Sequence, residues 1–69
     1  MQNDLIGKWV EVTLINDKKW IGVLEEWDEE ALFISNGNKF GAPDHKGAEC
    51  ASDEVSKVNE TSEREFTIA

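Results

Sequence analysis

The chain has 69 residues, enough for one hydrophobic core and no second domain, so residues 1–69 are read as one unit. Seven basic against fifteen acidic side chains give a net charge of −8, which opposes general attraction to nucleic acid or anionic lipid and leaves only a local basic patch to override it. No apolar run reaches membrane-spanning length, Cys50 is the only cysteine and so excludes a disulfide within the chain, and no basic-apolar leader opens the sequence; a reducing cytoplasm is the expected location.

Asn3-Asp4-Leu5-Ile6-Gly7 reads as a short helical turn ended by glycine. Alternation follows: Val10, Val12 and Leu14 fall on one face of a strand, and Trp9, Glu11, Thr13 and Ile15 on the other. Asn16-Asp17 before Lys18-Lys19 is a hairpin turn, since Asn and Asp tolerate left-handed backbone. A second strand is expected over about 20–27, with Gly22 marking a bulge or sharp bend. After the polar connection Asp28-Glu29-Glu30, Ala31-Leu32-Phe33-Ile34 reads as a third strand, and Asn36-Gly37 is the strongest turn signal.

Residues 38–48 carry Gly41, Pro43 and Gly47 without apolar periodicity and read as a surface loop, long for so small a domain. A fourth strand is expected over about 54–59, anchored by Val55 and Val58, whose spacing of three suits a strand running into a one-turn helix. Residues 61–65 are polar, and Phe66-Thr67-Ile68 supplies a last short strand. The expected core is Val10, Val12, Leu14, Ile21, Val23, Leu24, Leu32, Ile34, Val55, Val58, Phe66 and Ile68. A domain of this size buries only about 60% of the surface its unfolded chain exposes, and with no disulfide the remaining stabilising device is a partner subunit.

The expected class is all-β: five short strands, one bent, behind an N-terminal helical turn, which suggests an SH3-type barrel. Residues 5–14 resemble the opening helix and first strand of the Sm-like family. Gly22-Val23-Leu24-Glu25-Glu26-Trp27-Asp28 is similar to its first motif, Gly-x-Leu, two residues, a hydrophobe and Asp. Residues 50–58 can be laid over its second motif, with Val55 and Val58 at the hydrophobic positions; the resemblance covers about residues 4–59. It implies a barrel that assembles through sheet edges, often as a ring. It also implies a uridine pocket, but there the sequence departs. Where RNA-binding members carry an Asn four residues after the Asp, this chain has Leu32, and their Arg-Gly pair matches Ala51-Ser52. Loss of the arginine removes both charge and a stacking plane.

No catalytic set emerges. His45 and Cys50 occur once each, and Asp44, His45 and Glu49 sit in or beside a Gly/Pro-containing loop that is a poor frame for a metal. The expectation is a protein without catalytic residues, metal or cofactor. Trp9, Ile15 and Trp20 are the candidate interface for a homo-oligomer or a protein partner, weighed against an ordinary role as lids on the core. Glu25, Glu26, Asp28, Glu29 and Glu30 form the densest charge, either a solvated turn or an acidic docking surface that imitates nucleic acid and inhibits a nucleic-acid enzyme. Lys39 and Phe40 are the one place where a base could stack beside a cation, the alternative in which RNA or single-stranded DNA is bound.

Overall fold

The computed structural model describes residues 3–69, which form a mainly β, antiparallel structure with two single-turn 3-10 segments. The strands are β1 (Trp9–Leu14), β2 (Lys19–Trp27), β3 (Ala31–Ser35), β4 (Gly47–Ala51), β5 (Val55–Glu60) and β6 (Thr67–Ile68). They pair in the order β4-β3-β2-β1-β5, and β6 pairs with β2 off this path. β4 and β5, at the two ends of the path, are not paired with each other, so the sheet is hydrogen-bonded but open. Among the described residues no helix is long and apolar enough to cross a membrane.

The opening turn is a 3-10 segment, Asn3–Leu5, and Gly7 follows it at φ 85°. Leu5 packs into the core, an inward position the sequence pattern did not single out. In β1 the alternation holds through Val12, with Val10 and Val12 buried and Trp9 and Glu11 half-buried; Thr13, expected to face outward, is buried together with Leu14, and Ile15 beyond the strand is exposed. The hairpin turns through Asp17 at φ 68°, the one described non-glycine residue with left-handed backbone. Cross-strand partners share a face, so the pairs Val12–Trp20, Val10–Gly22 and Leu24–Ile34 define the inner side, completed by Leu32 and Val58.

Three expectations are corrected. First, the described residues form six strands rather than five, because residues 47–51, expected as loop and the start of a motif, form β4. Its inward residues are Ala48 and Cys50, opposite Ile34 and Leu32, and such small side chains leave no hydrophobic period to read. Second, the one-turn helix precedes the strand bearing Val55 and Val58: Ser52–Glu54 is a 3-10 turn leading into β5. Third, Gly22 is not the bulge. The register of β2 against β3 shifts between Leu24 and Glu26, which makes Glu25 the extra residue. Gly22 instead marks a close approach, since a Cβ there would stand 2.8 Å from the Ser35 carbonyl oxygen and 3.1 Å from both Ile34 and Phe66. At this point the edge of β2 changes partner, from β6 at Trp20 and Ile21 to β3 from Val23 onward. Of the expected core, Ile68 is exposed at the end of β6, while Ile21, Val55 and Phe66 are half-buried.

Candidate functional site

The bulge at Glu25 decides which side chains share the outer face. Strict alternation from Leu24 would send Glu26 inward and Trp27 outward. With one residue inserted, Glu26 pairs with Phe33 on the outer face and Trp27 pairs with Leu32 on the inner one, where it packs on the core. Two consecutive carboxylates, Glu25 and Glu26, therefore stand on the same side of the sheet beside the ring of Phe33.

Over that face folds the loop 36–46, and it is built rather than slack. Asn36 is its clasp. The Asn36 backbone N–H donates to the Lys46 carbonyl (3.0 Å), its side-chain Nδ2 donates to the Asp44 carbonyl (2.8 Å), and its Oδ1 accepts from the N–H groups of Asn38 and Lys46. Asn38 Nδ2 also donates to the Asp44 carbonyl, at 3.2 Å. The tip turns through Gly41 at φ 92°, and His45 Nδ1 donates to the Asn38 carbonyl at 3.1 Å. The rings of Phe40 and His45 make a T-shaped contact, with centroids 5.3 Å apart and planes at 70°.

Loop and sheet together enclose an open depression of about 620 Å³. Glu25, Glu26 and Phe33 line it from the sheet, and Asn38, Lys39, Phe40 and His45 from the loop. Phe40 is 83% exposed near the tip of this hydrogen-bonded loop. A relay through the buried Ser35 joins the two walls. The Gly37 N–H donates to Ser35 Oγ at 3.0 Å, and that hydroxyl donates to Glu25 Oε2 at 2.5 Å. Ser35 is fully buried, so its hydroxyl must be satisfied as both donor and acceptor, and here it is.

The five acidic residues expected as one surface are divided. Glu25 and Glu26 line the depression, whereas Asp28 is consumed by the β2–β3 turn. Its Oδ1 accepts from the N–H groups of Ala31 (3.0 Å) and Glu30 (2.8 Å), and these bonds, Ala31's foremost, hold the carboxyl below the usual carboxylate range. Glu29 and Glu30 stand exposed at the tip of that turn.

Trp9, Ile15 and Trp20 are not brought together. Trp9 is half-buried on the outer face opposite Val23, while Trp20 is opposite Val12 on the inner face and packs on the core. Ile15 is 67% exposed beyond the end of β1, about 20 Å from Trp9 at the usual strand rise. Lys39 and Phe40 do share one site, but with two carboxylates. Cys50 points inward from β4, and burial pushes its thiol pKa up, with Glu54 and Glu49 adding to the shift. Among the described residues no three His, Cys, Asp or Glu side chains are grouped to hold a metal. Phe33, Ser35 and Asn36 escaped sequence reasoning as site residues. Phe33 was legible from the outward phase of its strand, whereas Ser35 and Asn36 act only through the folded loop.

Comparison with protein-family models, with curated proteins and with solved structures finds no match to this chain.

Proposed function

We propose that this chain is a non-enzymatic binding module, a small SH3-type barrel of the Sm-like kind, that docks a protein partner in the depression between β2, β3 and the loop 36–46. The single observation that carries the reading is the setting of Phe40, a large apolar ring left in water on a loop whose backbone is hydrogen-bonded at both ends. Rigid exposed aromatics lose little entropy on binding and are what interfaces use as anchors.

The barrel reading is supported by the short link between β4 and β5. In a flat sheet those strands would be four spacings apart, about 19 Å. Only Ser52–Glu54 joins them, and a 3-10 segment of that length advances roughly 6–8 Å. So brief a link favours a strongly curled sheet, and β2 changes partner at Gly22, where a bend would serve that curl.

The positions of the lost uridine readers argue against the family's RNA function. Leu32 is fully buried and directed into the core. The Ser52 hydroxyl is spent on the Asp28 carbonyl, to which it donates at 2.5 Å. An acidic decoy is less well supported, because Asp28 is tied into its turn and the row of charge is broken. Self-association is the second reading, favoured by the outer edges of β4 and β5, which pair with no other strand among the described residues and offer backbone groups to another copy.

The test is selection of random displayed peptides on the immobilised chain, with the Phe40→Ala variant as counter-target. Selected peptides are expected to bind the variant about thirtyfold more weakly, the ~2 kcal/mol of an aromatic anchor. Peptides that hold both forms equally would remove the depression from the function.

A further inference from the structure

We propose that the depression receives a cationic side chain, an arginine or lysine presented by a basic segment of the protein partner. This rests on the docking reading above and names the chemistry of what docks. Ring faces and carboxylates are the two groups that attract a desolvating cation, the first through the ring quadrupole and the second through charge. Here both kinds line one concavity: Phe33 and Phe40 with Glu25 and Glu26.

Part of this arrangement is already set in the free chain. The bulge places the two carboxylates on one face, and Ser35 holds one oxygen of Glu25, leaving its other oxygen free to accept. Among the described residues the ion pairs are Lys8–Glu60 and Lys19–Glu11, so neither Glu25 nor Glu26 is neutralised by a neighbouring lysine or arginine. Lys39 lines the same concavity without pairing with them. An incoming cation meets that one opposing charge against two attracting ones. The net charge of −8 draws basic segments toward the molecule at long range. A phosphate chain would meet the reverse balance, two carboxylates against one lysine, which is why a basic peptide is favoured over RNA at a site with stacking rings.

The experiment follows backbone amide shifts of the isotopically labelled full chain by NMR at low salt. The probes are hexa-arginine, a neutral proline decapeptide and hexauridylate. Hexa-arginine is expected to shift Phe33, Gly37, Phe40 and His45. The E25Q/E26Q pair should raise its Kd at least about tenfold, whereas E29Q/E30Q, an equal change of net charge at the turn tip, should change it less than about twofold. Glutamine at position 25 keeps an acceptor for Ser35, so the fold and the relay are retained. Lys39→Ala should tighten hexa-arginine binding, because it removes the opposing charge.

Equal weakening by the two glutamine pairs would reduce the effect to net charge and overturn the proposal. So would failure of hexa-arginine to shift these residues. If the proline peptide shifts them in its place, docking stands and only the cation is lost. If hexauridylate alone shifts them, and Lys39→Ala weakens it, the site belongs to nucleic acid and both readings fall.

Discussion

Gly22 is the residue at which the sheet is least forgiving. Its missing side chain admits the Ser35 carbonyl, the Ile34 side chain and the Phe66 ring, and a backbone oxygen at 2.8 Å cannot step aside as a side chain can. Gly22→Ala is therefore expected to destabilise by roughly 1–3 kcal/mol through overpacking, a large share of the roughly 3–10 kcal/mol available to a domain of this length. Urea unfolding measures it, and a midpoint equal to the wild type's would mean that Phe66 and β3 shift at little cost. Ser35 is the complementary case. Its small, fully buried side chain is required by chemistry rather than by space, because it passes a hydrogen bond from Gly37 to Glu25.

Among the elements, the loop 36–46 behaves as a closed unit because one side chain bridges its two ends. Asn36→Ala removes the donor to Asp44 and the acceptor for Asn38 and Lys46. The expected result is faster amide hydrogen exchange at Asn38, by about tenfold, with exchange in β1 and β2 unchanged. Exchange that rises throughout the sheet would show the loop to be part of the cooperative core. The strands differ in how far the sequence disclosed them. β1 and β3 were legible because their inward positions carry aliphatic residues at period two, and β2 because its hydrophobic residues run between two turn signals. β4 was hidden, because Ala48 and Cys50 fill the inward positions opposite bulky Ile34 and Leu32, and size complementarity across a pair has no signature in one strand alone. The candidate site was half legible for a related reason. Glu25, Glu26, Lys39 and Phe40 each stood out by type, but their meeting depends on a one-residue bulge and on the closure of a loop, neither of which hydropathy encodes.

For the molecule as a whole, open edges and high charge pull against each other. The outer edges of β4 and β5 invite strand addition, while the net charge of −8 repels a second copy. Light scattering across a dilution series is expected to give the mass of one chain at low salt, with any larger species confined to high salt, where the Debye length falls to about 3 Å at 1 M. A dilution-resistant multiple at low salt would instead assign the edges to assembly and make self-association the leading function. The clasp at Asn36 has a further consequence. Since the loop is pinched shut at its base, the residues of its tip can be exchanged without loosening β3 or β4. What the tip presents and how the chain folds can then be varied separately, and a library confined to positions 39, 40 and 42 would change the lining of the depression while sparing the Asn38 hydrogen bonds and the Gly41 turn.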